Sequence, residues 1–210
     1  MAEKLKIDCL IVGPIKTNCF IVRDGEDGRE AVLVDPGDEP DRIIAHLESC
    51  GAKPVLILLT HGHYDHIMAV NELVARYPGL PVWISEAEKP MVEDPSLNSG
   101  FAAAYFIHPD HYFTDGETFE VLGRRWEVIL SPGHTAGSAC FYLPEEKILF
   151  SGDTIFRASY GRYDLPTGSR TEIKKSLVKV LTPLTDDVVI LTGHSLMTDA
   201  RFERKMWDIV

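Results

Sequence analysis

Short apolar runs bounded by turn residues recur along the chain and predict β-strands. In the first half they are IDCLIV, CFIVRD, EAVLVDPG, PVLILLT and PVWIS, and in the second half ETFEVLG, RWEVILS, SACFYL, KILFSGD and VVILTG. Residues 24–28 separate the second run from the third as a hairpin turn would. Apolar positions at helical spacing predict helices over 41–50, 65–76 and 172–181.

Strands and helices alternate in both halves, and this order favours an α/β (α+β) arrangement in which helices cover sheets. Two sheets packed back to back, each with helices on its outer face, would suit the near-even division of the pattern. A chain of 210 residues is long enough for a substantial core. We therefore expect residues 1–210 to form a single domain built from two similar halves.

The charge balance limits the classes of partner. Lys and Arg number 21 against 32 Asp and Glu, which gives a formal net charge of −11. Nucleic acid needs clustered basic residues, and no basic stripe is visible. No apolar run approaches the roughly 20 residues of a membrane-spanning helix, and the N-terminal residues lack a signal-peptide pattern. We expect a cytoplasmic protein with a small-molecule substrate, no nucleic-acid or membrane partner, and a homodimer left open.

Four of the apolar runs are followed by residues that can ligate a metal. These are His61, His63, Asp65 and His66 after LILLT, His134 after EVILSPG, Asp153 after KILFSG, and His194 after VVILTG. Ligand sites of α/β sheets lie at the carboxyl ends of strands, where loops converge. Gly62 permits the backbone to bend so that His61 and His63 face one ion. Other histidines, such as His46, His108 and His111, are interpreted as ordinary polar residues.

Imidazole and carboxylate are typical ligands of zinc, iron and manganese. Seven such residues are too many for one ion but suit two ions that share a carboxylate. A purely structural zinc is disfavoured because the set offers no thiolate. The sequence therefore predicts two divalent transition-metal ions, with zinc as the first expectation and iron or manganese as alternatives.

The motifs THGHYDH, SPGHT, FSGDT and TGH, in this order, resemble those of the metallo-β-lactamase superfamily. The resemblance implies a four-layer αβ/βα sandwich. It also implies that His61, His63 and His134 hold one ion, that Asp65, His66 and His194 hold a second, and that Asp153 bridges them. Asp65 and Asp153 are then the expected catalytic residues. Asp35, in VDPG, is expected to support the ligands from behind.

Residues 151–168 resemble the glyoxalase II-like and persulfide-dioxygenase-like branch, in which G-R-x-D follows the bridging aspartate. The likeness implies that Arg162 and Tyr163 bind substrate, although an Arg162–Asp164 ion pair is an equal alternative. Hydrolysis of β-lactams is not expected, because β-lactamases of this superfamily commonly carry Cys or another residue in place of Asp153. Only residues 195–210 follow the last ligand, so the short, single-domain relatives fit better than full-length glyoxalase II.

Hydrolysis of a small thioester by a dinuclear centre is the function that these features favour. One alternative is an oxygenase that uses a single iron on His61, His134 and Asp153 to oxidise a persulfide. A second is a non-catalytic binding member of the same fold.

The Pro-broken segment over 85–115 carries Phe101, Tyr105, Phe106 and Tyr112, which would form either a lid over the site or a cap on the sheet edge.

Overall fold

The computed structural model describes residues 4–94, 96–98 and 105–209, so Phe101 lies outside the described residues. The first half forms a six-stranded sheet whose spatial order follows the chain. Its strands are β1 (Lys6–Val12), β2 (Thr17–Arg23), β3 (Glu30–Val34), β4 (Lys53–Leu58), β5 (Val82–Ser85) and β6 (His111–Phe113). The first three pair antiparallel, as the predicted hairpin requires, and β3 to β6 run parallel.

The second half supplies β7 (Thr118–Val121), β8 (Arg124–Leu130), β9 (Ala139–Leu143), β10 (Ile148–Gly152), β11 (Ile155–Phe156), β12 (Ser159–Tyr160), β13 (Val189–Thr192) and β14 (Thr198–Asp199). A second six-stranded sheet has the order β14-β13-β10-β9-β8-β7, and β11 pairs with β12 as a separate small hairpin. Strands β10 and β13 are parallel, so their carboxyl ends lie at the same edge. The two-residue strands were not predicted, because they are too short for a periodic pattern.

The helices are α1 (Pro40–Ser49), α2 (Tyr64–Ile67), α3 (Val70–Arg76), α4 (Lys89–Glu93), α5 (Arg170–Leu181) and α6 (Ala200–Trp207). The prediction of one helix over 65–76 is wrong, since the helix is interrupted between α2 and α3. The Ala69 amide donates to the Pro36 carbonyl at 3.1 Å and so leaves the helical hydrogen-bond pattern. Within the described parts of the chain, no helix has the length and apolar character needed to span a membrane.

Three apolar layers hold these elements together. Between the two sheets, the Trp126 and Phe150 rings stack at 5.6 Å, and Phe20 meets Phe150 edge-on at 5.4 Å. Outside the first sheet, Ile43 and Leu47 of α1 pack on the apolar face of that sheet. Residues of α5 and α6 pack in the same way on the second sheet. The order helix, sheet, sheet, helix confirms the expected four-layer αβ/βα sandwich.

The two halves meet at the edge where the ligand-bearing loops emerge. Thr17 at the start of β2 forms an isolated bridge with His194, and the Asn18 amide donates to the Gly193 carbonyl at 2.7 Å. The buried Asn18 side chain donates to the Thr192 carbonyl at 2.9 Å. These bonds join residues far apart in the sequence, so the position of the His194 loop depends on the whole sandwich.

Candidate metal centre

Three histidines converge where β4 and β8 end, and we call His61, His63 and His134 the first group. His63 Nδ1 lies 2.8 Å from His134 Nε2, and His134 Nε2 lies 3.2 Å from His61 Nε2. All three side chains are buried. A neutral imidazole has one donor and one acceptor nitrogen, so three converging nitrogens cannot satisfy each other fully. A shared cation would accept all three lone pairs.

Asp65, His66 and His194 form a second group beside the first. His66 Nε2 and His194 Nε2 are 3.3 Å apart, and Asp65 Oδ2 lies 3.3 Å from His194 Nε2 and 3.6 Å from His66 Nε2. Thr17 donates from its hydroxyl to Asp65 Oδ2 at 3.0 Å and so fixes the carboxylate. The second group therefore offers two nitrogens and one oxygen to a common point.

Asp153 lies between the two groups. Its Oδ2 is 3.4 Å from His134 Nε2 in the first group and 3.4 Å from His194 Nε2 in the second. Its buried Oδ1 accepts no hydrogen bond of good geometry among the described residues and lies 3.4 Å from His66 Nε2. A Cβ added to Gly193 would lie 2.2 Å from this Oδ1, so only glycine leaves room for the carboxylate there. The structure thus brings together all seven side chains that the sequence analysis selects, and their chemistry fits two cations.

Burial and opposing charges set the protonation of these side chains. Burial lowers the pKa of His61 well below its usual value and lowers that of His63 to about 3. Burial also disfavours charged His66, but the carboxylates of Asp65 and Asp153 outweigh it and raise the pKa of His66 well above normal. Burial opposes ionisation of Asp153, yet the neighbouring histidines hold its pKa well below the usual range. Metals bind neutral imidazoles and ionised carboxylates, so a metal bound at the second group would displace the proton that the carboxylates favour on His66.

A hydrogen-bonded chain behind the site orients two of the histidines. Asp35 accepts from the Thr60 amide at 2.8 Å and from the Thr60 hydroxyl at 2.7 Å. Because that hydroxyl donates to Asp35, it accepts from His61 Nδ1 at 3.0 Å. Asp35 also accepts from His66 Nδ1 at 2.9 Å. Both rings are therefore held with Nε2 facing the centre, and Asp35 has the supporting position expected from the sequence.

The G-R-Y-D segment contributes its backbone to the site. The Arg162 carbonyl accepts from His134 Nδ1 at 2.7 Å, which leaves His134 Nε2 for the centre. A Cβ on Gly161 would lie 1.9 Å from the Asp153 carbonyl oxygen, so the segment can pass this close only as glycine. The Arg162 side chain pairs with Asp164 through two bonds of 2.8 and 2.9 Å. This ion pair is the alternative to substrate binding that the sequence analysis gives for the Arg162 side chain.

A cavity of about 660 Å³ opens over the centre and is bordered by side chains of both groups and Asp153. Its wall also contains the apolar side chains of Ile15, Phe156, Leu165 and Leu196, together with Arg157 and Arg162. Tyr163 is not among the described residues that line it, and its ring stacks on that of Tyr160 at 6.4 Å. The cavity can hold a small molecule that is partly apolar.

The aromatic residues considered as a lid lie away from this cavity where the structure describes them. Tyr105 and Tyr112 pack against the outer core of the first sheet. The Tyr105 hydroxyl donates to the Met68 carbonyl at 2.6 Å, and the Phe106 carbonyl accepts from Asn71 at 2.8 Å. For these three residues the cap on the sheet edge is the observed arrangement.

Glu88 is a supporting residue that the sequence analysis missed. It lies in a 3-10 turn (Glu86–Glu88) after β5, and its side chain is fully buried. Its Oε2 accepts from the Gly62 amide and its Oε1 from the Gly137 amide, each at 2.7 Å. Burial raises the pKa of Glu88, and these bonds partly offset that effect. One carboxylate thus ties the loop of His61 and His63 to the loop of His134.

Replacing Glu88 with alanine should lower the free energy of unfolding by about 3 kcal/mol, because two buried amides lose their acceptor at about 1–3 kcal/mol each. Metal affinity should fall as well, since the two loops of the first group are no longer joined. Urea unfolding of the metal-depleted and metal-loaded protein measures both effects. Glu86→Ala is the matched control, because Glu86 is exposed in the same turn. Equal stabilities of the two variants would refute this role.

Comparisons with known proteins agree with this geometry. The family model described as "Metallo-beta-lactamase superfamily" matches residues 12–194. The "Hydroxyacylglutathione hydrolase GloC" of Haemophilus influenzae is 32% identical over 206 residues, covering 96% of each chain.

Two solved structures share the fold over nearly the whole chain. The "BLEG-1 B3 metallo-beta-lactamase" is 32% identical with a TM-score of 0.89, covering 95% of this chain and 97% of that one. The structure of "TTHA1623 in a di-iron-bound form" is 34% identical with a TM-score of 0.83, covering 95% of this chain and 98% of that one. With the ligand motifs, the sandwich and these matches in agreement, the chain belongs to the metallo-β-lactamase superfamily.

Proposed function

We propose that this chain is a dinuclear metal-dependent hydrolase whose substrate is a small thioester. The observation that carries the proposal is the position of Asp153, whose Oδ2 lies 3.4 Å from a nitrogen of each ligand group. Such a carboxylate can serve two ions at once. The first group would hold one ion and the second group the other, with Asp153 shared between them.

Two divalent ions bound there would supply hydroxide at neutral pH and would polarise the substrate carbonyl. The chain's own residues do the positioning. Burial would raise the pKa of Asp65, but opposing charges nearby outweigh this effect and lower the pKa to about 2. This carboxylate is therefore ionised at neutral pH. Asp65 and Asp153 border the cavity and can accept hydrogen bonds from an attacking water.

Three features favour a thioester. The relative GloC is named a hydroxyacylglutathione hydrolase and matches over nearly its full length. The G-R-Y-D segment passes directly beneath the centre and fixes His134 through its backbone. The cavity combines apolar side chains with arginines, which suits a small molecule that has an acyl chain and a polar end. Zinc remains the first expectation for the metal, with iron and manganese as alternatives.

A mononuclear iron oxygenase is the second candidate, because its three ligands also converge. His61 Nε2 lies 3.2 Å from His134 Nε2, and Asp153 Oδ2 lies 3.4 Å from His134 Nε2. These atoms could bind one iron with open positions for a persulfide and oxygen. Metal content and oxygen use separate this candidate from the hydrolase.

The test is release of free thiol from acyl-glutathione and acyl-coenzyme A thioesters by the metal-loaded protein. We expect kcat/KM of at least about 10⁴ M⁻¹s⁻¹ on the best thioester, the lower end of the usual range for enzymes. A cephalosporin and a persulfide serve as comparison substrates, the first because one structural relative is a β-lactamase by name. Oxygen uptake with the persulfide and no thiol release would establish the oxygenase. Faster opening of the cephalosporin would establish a β-lactamase.

A further inference from the structure

The two arginines that line the cavity differ in their ion pairing. Arg162 pairs with Asp164 through Nε and Nη2 at 2.8 and 2.9 Å, so one bidentate donor edge of its guanidinium is occupied and its charge is already neutralised by a carboxylate. Arg157 is exposed and has no carboxylate within 4.0 Å among the described residues. The chain has a net charge of −11, so a cation on the cavity wall without an acidic partner gives this wall a local positive charge that the rest of the chain does not predict.

Arg157 is nevertheless held in place. Its Cζ lies 4.8 Å from the centroid of the Phe202 ring, the geometry of a cation–π contact. Stacking of a guanidinium on a ring leaves the edge with its N–H donors available. The side chain is thus oriented before any ligand arrives, which reduces the entropy lost when one binds.

Helix α6 fixes the backbone of Arg157 as well as its side chain. Arg157 and Ala158 form the turn of the β11–β12 hairpin, and the Ala158 amide donates to Glu203 Oε1 at 3.0 Å. Glu203 is buried and also accepts from the Thr198 hydroxyl at 2.7 Å and from Trp207 Nε1 at 3.1 Å. The same helix therefore supplies the ring under Arg157 and the anchor for its turn.

We propose that Arg157 is the specificity residue that binds a carboxylate carried by the substrate, a proposal that rests on the thioester hydrolase proposed above. The guanidinium fork matches a carboxylate through two parallel charge-assisted hydrogen bonds. Arg162 keeps its pair with Asp164 and acts on the centre through its backbone carbonyl. The preferred substrate is then a small thioester with an anionic end, and neutral thioesters are poorer substrates.

The experiment compares two thioesters that differ by one charge, an S-acyl 3-mercaptopropionate and its methyl amide. In the wild type, KM should be lower for the carboxylate. Arg157→Gln should raise the ratio of the KM for the carboxylate to the KM for the amide by about 5- to 10-fold with kcat little changed, because a binding contact equal in ground and transition states is lost. Arg157→Lys, which keeps the charge without the fork, should give an intermediate ratio. Arg201→Gln removes the same charge from α6, where Arg201 pairs with Asp186 at 3.4 Å, and should leave the ratio unchanged.

Binding of the corresponding thioethers, measured by calorimetry, gives a readout that does not require hydrolysis. The carboxylate thioether should bind more tightly than its amide, and Arg157→Gln should abolish this preference. Loss of the preference in Arg162→Gln, with Arg157→Gln like the wild type, would overturn the proposal in favour of Arg162. Equal binding of both thioethers by the wild type would also overturn it. If the preference is present but no thioester is cleaved, the proposed function fails while the anion site stands.

Discussion

Replacing Asp153 with alanine should lower kcat/KM for thioester hydrolysis by at least about 1,000-fold, which corresponds to about 4 kcal/mol of transition-state stabilisation. The reason is geometric. Asp153 Oδ2 lies 3.4 Å from a nitrogen in each ligand group. Removing this carboxylate removes the one ligand that both groups would share. Steady-state kinetics on the best thioester measures the loss. Metal analysis of the same preparation should show fewer than two equivalents.

The matched control for this variant is Asp187→Ala. Asp187 is half exposed in the loop before β13 and forms a surface pair with Lys147, away from the cavity. The Asp187→Ala variant should retain the kinetics and the metal content of the wild type. Circular dichroism establishes that both variants are folded. A folded Asp153→Ala protein that keeps more than about a tenth of the wild-type rate would show that this carboxylate is not essential, since a tenfold change is only about 1.4 kcal/mol.

Removing the metals with a chelator should abolish hydrolysis and lower the free energy of unfolding by about 4 kcal/mol for each ion lost, relative to protein in metal at 1,000 times its dissociation constant. The donors of both groups are held close together in the folded state and are separated in the unfolded chain, so a bound ion favours folding. Activity assays and thermal unfolding before and after chelation provide the measurement.

Adding metal back tests how many ions are required. Titration with zinc, iron(II) or manganese should restore full activity at two equivalents per chain, with the ions about 3.5–4 Å apart in a metal-loaded structure. The metal that restores the highest kcat/KM at equal occupancy identifies the best native candidate. Full recovery at one equivalent, with Asp65 and His66 uncoordinated in that structure, would contradict the dinuclear centre and support the iron oxygenase.

The layered fold and all seven candidate ligands could be predicted from the sequence because both depend on local patterns. Apolar runs identified the main strands, since a strand buried on both faces needs apolar residues at nearly every position, as residues 19–22 of β2 show, which are all apolar and buried. Each candidate ligand follows such a run within a few residues, so His134, Asp153 and His194 were placed at strand ends without knowledge of the pairing. The carboxyl ends of parallel strands then bring those residues to one edge.

Long-range contacts decided what the local pattern left open. Glu88 in a short charged segment has no periodic signal, yet it binds the amide of Gly137, 49 residues away. The helix is interrupted between α2 and α3 because the Ala69 amide donates its hydrogen bond to the Pro36 carbonyl. Whether an arginine of the cavity is free depends on which acidic side chain the fold brings to it. The sequence offers Asp164 as a local partner of Arg162, but the position of Arg157 on the cavity wall against Phe202 depends on the packing of distant residues, so only the tertiary structure distinguishes the two arginines.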